Sequence, residues 1–159
     1  MGESSPLVGV LFGSQNDISK FENGESLLNE LGIHYELNVY SAHRTPKRVE
    51  TYCREAADRG IQVIIAGAGL SAALPGVVAA QCLLPVIGLP IGTGPLNGLD
   101  ALYSIVQMPP GVPVGAVGID NARNAVLLAA RIIALNNAAV RAKLQDFVKR
   151  FGDLGVVEH

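Results

Sequence analysis

Apolar runs of strand length recur along this chain with helix-length stretches between them: Leu7–Phe12, Tyr35–Tyr40, Gln62–Ala66, Pro85–Leu89 and Pro113–Val117. That rhythm reads as successive βαβ units. Three of the runs, Val63-Ile64-Ile65-Ala66, Val86-Ile87-Gly88-Leu89 and Val114-Gly115-Ala116-Val117, are apolar without alternation. Parallel strands covered on both faces by crossover helices have this pattern, so a central parallel sheet is expected.

Helices are expected in the intervals. Phe21, Leu27, Leu28 and Leu31 follow helical spacing within Ile18–Leu31, which stops at Gly32. A second helix should start at Pro46, with Thr45 as its N-cap and Gly60 closing it. Others fit Leu74–Gln81, Leu99–Val106 and Ala122–Leu135. The last, Ala138–Phe151, puts Val140, Leu144, Phe147 and Phe151 on one stripe and reads as an arm packing on a neighbouring subunit. The sum is an α/β three-layer sandwich, flavodoxin-like, with a parallel five-stranded sheet. Ligands of such folds bind beyond the carboxyl ends of the strands.

At 159 residues the chain has the length of one domain, taken as 1–159, and needs no metal or disulfide to build a core. Charged residues are 16% against 49% hydrophobic, sparse cover for an isolated domain, so some apolar surface should meet another subunit. A net charge of −2 without a Lys/Arg run argues against nucleic acid as a partner. Cys53 and Cys82 stand apart in apolar stretches and read as isolated, buried free thiols in a reducing compartment. Met1–Pro6 lacks a basic segment leading into an apolar one, and no apolar run nears the ~18 residues of a membrane helix, so a cytoplasmic protein is expected, with no membrane partner.

The segments that follow the strands are unusual. They read Gly13-Ser14-Gln15-Asn16-Asp17, Ser41-Ala42-His43-Arg44-Thr45-Pro46, Gly67-Ala68-Gly69-Leu70-Ser71-Ala72-Ala73, and Ile91-Gly92-Thr93-Gly94-Pro95-Leu96-Asn97-Gly98. Small and polar residues therefore gather at one end of the sheet, where main-chain N–H groups and hydroxyls at helix starts favour a phosphate or carboxylate. Tight strand-to-helix turns alone would explain any single loop. Four together, one with a His-Arg pair, point to a ligand site. His43 is placed to carry a proton near neutral pH, Arg44 to grip a phosphate, and Ser14 and Ser41 to donate hydroxyls to it. His34 and His159 read as surface residues. Metal-ligand spacing such as H-E-x-x-H is absent, as are a Gly-x-Ser-x-Gly elbow and a Walker lysine loop. Gly67-Ala68-Gly69 lacks the third glycine and acidic partner of a dinucleotide turn.

Read in order, these pieces resemble the PurE family over nearly the whole chain. The matching segments are Gly13-Ser14 with Asp17, Ser41-Ala42-His43-Arg44-Thr45-Pro46, Ile64-Ile65-Ala66-Gly67-Ala68-Gly69, Leu74-Pro75-Gly76, Leu96-Asn97-Gly98-Leu99-Asp100 and Ser104-Ile105-Val106-Gln107-Met108-Pro109. The resemblance implies a flavodoxin-like subunit, a homo-octamer with active sites at subunit contacts, and no metal or organic cofactor. Class I members move the carboxylate of N5-carboxyaminoimidazole ribonucleotide from nitrogen to ring carbon in purine biosynthesis. Class II members make the same product from aminoimidazole ribonucleotide and CO2. By this resemblance Gly13, Ser14, Asp17, Ser41, Ala42 and Arg44 bind the substrate, with Ser14, Asp17, Ser41 and Arg44 at the ribose phosphate. His43 transfers the proton, and the loop carrying Gly67, Ala68, Gly69, Leu70, Ser71 and Ala73, with Leu74, encloses CO2 and the base.

The chain also departs from the pattern. Class I members usually read Gly-Gly-Ala-Ala-His-Leu-Pro-Gly where this chain has Gly69–Gly76, so a second histidine is replaced by Ala73, and Asn16 replaces a serine. Ser71–Leu74 is closer to class II, whereas Arg44, Pro75 and Gln107-Met108-Pro109 look like class I. Ala73-Leu74-Pro75 and Ile119-Asp120-Asn121 also resemble LarB, which carboxylates a pyridine nucleotide with a cysteine nucleophile and carries an N-terminal domain. The mutase is the leading expectation. Direct carboxylation, LarB-like carboxylation and a catalytically silent nucleotide binder stay open.

Overall fold

The structure is a computed structural model, and it describes residues 5–150. Its elements follow the expected rhythm: β1 Val8–Phe12, a 3-10 helix Gln15–Phe21, α1 Glu22–Leu31, β2 Tyr35–Val39, α2 Pro46–Ala56, β3 Val63–Ala68, α3 Leu74–Ala79, β4 Val86–Pro90, α4 Leu99–Val106, β5 Gly115–Ala116, α5 Ala122–Ala134 and α6 Ala138–Lys149. The five strands pair in parallel in the order β2-β1-β3-β4-β5. Strand order therefore reverses between β1 and β3, and a crevice opens there at the carboxyl ends.

The period-two geometry of a strand explains the three layers. Val8, Val10 and Phe12 of β1, Val63 and Ile65 of β3, and Ile87 and Leu89 of β4 point to one face, where they meet α1, α5 and α6. Leu11, Ile64, Ala66, Ala68 and Val86 point to the other, against α2, α3 and α4. Both faces are covered, so these three strands are buried throughout. β5 differs from the expectation: it is a two-residue edge strand with Gly115 exposed, not a strand buried on both faces. Pro113 just before it has no N–H to extend a ladder, which suits an edge.

Local signals account for several helix ends. Gly32 takes the left-handed conformation (φ +66°), and its N–H and that of Ile33 close onto the last carbonyls of α1. Asn121 and Asn137 cap α5 and α6 by accepting from the N–H groups of Asn124 and Val140. The stretch Ile18–Leu31, expected as one helix, instead begins as the 3-10 turn that carries Asp17. Thr45 makes no cap bond to α2. Its Oγ1 accepts from the Ser41 N–H (2.9 Å) and donates to the Ser41 carbonyl (3.2 Å), closing the turn that displays His43.

The apolar stripe of α6, Val140, Leu144 and Phe147, is buried in the core of its own chain, so the expected packing of this helix on a neighbouring subunit would have to use its other residues. Arg141 reinforces that burial by donating to the carbonyls of Ala134 and Leu135 at the end of α5, both at 2.8 Å. Phe151, the last residue of the expected stripe, and His159 lie outside the described residues. The two cysteines, expected as isolated thiols, lie beside one another: Cys53 of α2 is buried, and Cys82 after α3 is half-buried with its Sγ donating to the Val78 carbonyl at 3.5 Å.

Candidate active site

A cavity of about 470 Å³ lies at the carboxyl ends of β1, β2 and β3, within the range of small-molecule sites. Its wall is made by Gly13, Ser14, Asn16 and Asp17 after β1, by Ser41, Ala42, His43 and Arg44 after β2, and by Ala68, Gly69, Leu70, Ser71, Ala72, Ala73 and Leu74 at the end of β3 and beyond, with Thr93 from the β4 loop. The ionisable side chains in this wall are Asp17, His43 and Arg44. The 3-10 helix, α2 and α3 all begin beside the cavity, and the starts of helices carry positive potential.

The β2 loop is a tight ring. The Thr45 N–H donates to the Ser41 carbonyl at 2.8 Å, and the Arg44 N–H donates to Ser41 Oγ at 3.2 Å. His43 therefore stands exposed on a turn fixed at its base. Arg44 reaches across to β1, donating from Nη2 to the Gly13 carbonyl at 3.1 Å, which fastens the two loops together. Ser14 Oγ accepts from the Asn16 N–H at 3.3 Å. Both serine oxygens are acceptors for backbone donors, so each hydroxyl hydrogen is available to an anion. Asp17 is half-buried, and burial raises its carboxyl above the ordinary value, with Asp120 pushing the same way and Lys20 opposing.

Leu70 adopts a left-handed backbone (φ +52°) with its side chain half exposed. Asn97 (φ +50°) and Asp120 (φ +55°) do the same in the loops after β4 and β5. Such positions cost on the order of 1–3 kcal/mol each, and here all three fall at the ligand end of the sheet.

All the residues expected at the site line this cavity except Gly67. It belongs to β3 and is buried, and a Cβ there would lie 2.2 Å from the Phe12 ring. Its role is packing, since Phe12 is itself locked edge-on against Phe21 at 5.7 Å. Gly67→Ala should therefore destabilise by about 1–3 kcal/mol in chemical denaturation, through overpacking alone. Asn16, in place of the family's serine, and Ala72, within the Gly67–Ala73 loop, also line the cavity, and Thr93 joins them from the loop after β4. Thr93 was legible in principle, because it follows β4, whose neighbour β3 ends at the site. The rest of the Ile91–Gly98 loop does not reach the cavity, and neither cysteine does. His34 is exposed on the opposite side of β2, before the strand begins.

Residues 7–153 match the family described as AIR carboxylase. The chain belongs to the AIR carboxylase family. Among relatives of this family, a protein of Pyrococcus horikoshii named N5-carboxyaminoimidazole ribonucleotide mutase is 50% identical over 149 residues, 94% of this chain and 84% of that one. The protein of the same name from Thermotoga maritima is 50% identical over 145 residues, covering 91% and 85% of the two chains. A phosphoribosylaminoimidazole carboxylase of Schizosaccharomyces pombe is 49% identical over 94% of this chain but only 27% of its own length. The crystal structure of a Treponema denticola PurE superposes with a TM-score of 0.82 at 31% identity, covering 97% of this chain and 99% of that one. Family membership and flavodoxin-like fold thus agree with the resemblance seen in the loops.

Proposed function

We propose that this chain is an N5-carboxyaminoimidazole ribonucleotide mutase of purine biosynthesis, working in the cavity that His43 shares with the Gly69–Ala73 segment. The observation that carries the reading is that one imidazole, one guanidinium and two serine hydroxyls line the same cavity as a loop of small residues. Arg44, Ser14 and Ser41 grip the ribonucleotide phosphate, Asp17 accepts from the ribose hydroxyls, and the heterocycle lies between His43 and the Gly69–Ala73 segment.

His43 as imidazolium gives its proton to the carbamate nitrogen as the N–C bond breaks, leaving aminoimidazole ribonucleotide and CO2. The ring carbon then attacks CO2, and the neutral imidazole removes the hydrogen from that carbon, so the ring returns to aromaticity and His43 to its starting state. One proton carrier serves both transfers. The walls keep CO2 beside the nucleophile, which supplies effective concentration in place of binding affinity. Leu70, half exposed, and Leu74, buried, provide the apolar surface for this.

Direct carboxylation is the second reading, favoured by Ala73 where class I members carry histidine, and by the name of the Schizosaccharomyces pombe relative. A cysteine-dependent reaction of the LarB kind has no thiol in the cavity to use. Incubation with each ribonucleotide, with and without bicarbonate, separates the readings. Product should form from the N-carboxylated substrate without bicarbonate; product only from the amine plus bicarbonate would mean a carboxylase, and tight binding without product a silent relative.

The assembly belongs to the same proposal. Leu99, Tyr103 and Val106 follow one another at helical spacing on α4 and are all about half exposed, with Leu96 just before them. An apolar strip of this kind suits burial between copies, in line with a cytoplasmic homo-octamer.

A further inference from the structure

Asp120 stands outside the cavity wall, in the loop between β5 and α5, yet it ties three parts of the site's surroundings together. Its Oδ1 accepts from the Gly92 N–H at 2.8 Å, next to the cavity residue Thr93, and its own N–H donates to the Pro90 carbonyl at 2.9 Å. Its Oδ2 accepts from Lys20 Nζ at 2.9 Å. Lys20 shares the 3-10 turn with Asp17, three residues earlier, and in such a turn side chains three apart lie one above the other. The Lys20 ammonium therefore has two carboxylates within its range, and it is bonded to Asp120. The Asp17 carboxylate accepts no hydrogen bond among the described residues.

We infer that Asp120 is a positioning residue for ligand binding: by holding the Lys20 ammonium it keeps the Asp17 carboxylate open to the ribose hydroxyls of the substrate. This rests on the reading of Asp17 as a ligand contact. Without the Asp120 charge, Lys20 swings to its neighbour on the turn and occupies the oxygens the ligand needs. The pairing is electrostatically consistent: burial raises Asp120's carboxyl, but the bonds from Gly92 and Lys20 outweigh it and hold the group below the ordinary value, ionised at neutral pH.

The test is a set of substitutions read by KM, kcat and calorimetric binding of aminoimidazole ribonucleotide, with thermal unfolding to show that each variant is folded. Asp120→Asn keeps an acceptor for Gly92 but loses the charge, and Asp120→Ala loses both. Both should raise KM by about 5-fold with kcat unchanged, the upper range for a part-exposed ion pair. Adding Lys20→Met to Asp120→Ala removes the competitor and should return KM to within about 2-fold of the parent, a coupling a merely structural tether does not give. An Asp120→Asn enzyme that behaves as the parent, or a double variant as impaired as the single, overturns the inference. Asp17→Asn distinguishes the levels. If it raises KM while the Asp120 variants do not, only the role of Asp120 falls; if it leaves KM unchanged, the ligand contact falls and the inference with it.

Discussion

His43→Asn should bind aminoimidazole ribonucleotide with near-parental affinity while kcat falls by about 10²–10⁴-fold, the usual contribution of a general acid–base group. Asparagine keeps a polar group near the place of imidazole Nδ1 but cannot gain and release a proton near neutral pH. Because His43 is exposed on a turn whose bonds come from Ser41, Arg44 and Thr45, the substitution should shift stability by no more than about 0.5 kcal/mol. Loss of turnover could not then be blamed on unfolding. Single-turnover kinetics beside calorimetry would show the split between chemistry and binding. Full activity in this variant would remove the proton-carrier assignment.

Arg44→Ala should act on the opposite side of that split, raising KM by about 10–100-fold, which corresponds to losing charge-assisted hydrogen bonds of about 1.5–3 kcal/mol. Part of the effect is indirect, since Arg44 also binds the Gly13 carbonyl and holds the β1 loop against the β2 loop. Arg44→Lys separates the contributions. It restores the positive charge but not the planar fork that bridges a carbonyl and a phosphate together, so its KM should lie between the parent and the alanine variant. A KM unchanged in Arg44→Ala would mean that the phosphate sits elsewhere.

The parallel sheet could be read from the chain because strands buried on both faces must be apolar at every position, and Val63–Ala66 and Val86–Leu89 leave no other reading. Pro113–Val117 has the same composition but forms an edge, since apolarity alone does not count a strand's neighbours. The clustering of loops was legible because parallel connectivity sends every strand's carboxyl end to the same side. What the loops do in detail was not. Thr45 sits where an N-cap should, yet its hydroxyl turns back to Ser41, a choice set by the turn's closure and not by helix propensity. Gly67 belongs to a glycine-rich motif, but only the position of the Phe12 ring shows that it serves packing. The Lys20–Asp120 pair joins residues from distant parts of the chain, and no local pattern announces it. Cys53 and Cys82 likewise became neighbours only when α2 and the end of α3 packed on the same face of the sheet.

A crystal structure with aminoimidazole ribonucleotide bound tests most directly whether these loops form one active centre. The ligand ring should lie between His43 and the Gly69–Ala73 segment, with its phosphate against Arg44, Ser14 and Ser41. A ring outside this cavity, or a phosphate held by other residues, would contradict the assignment of every role given to the loops.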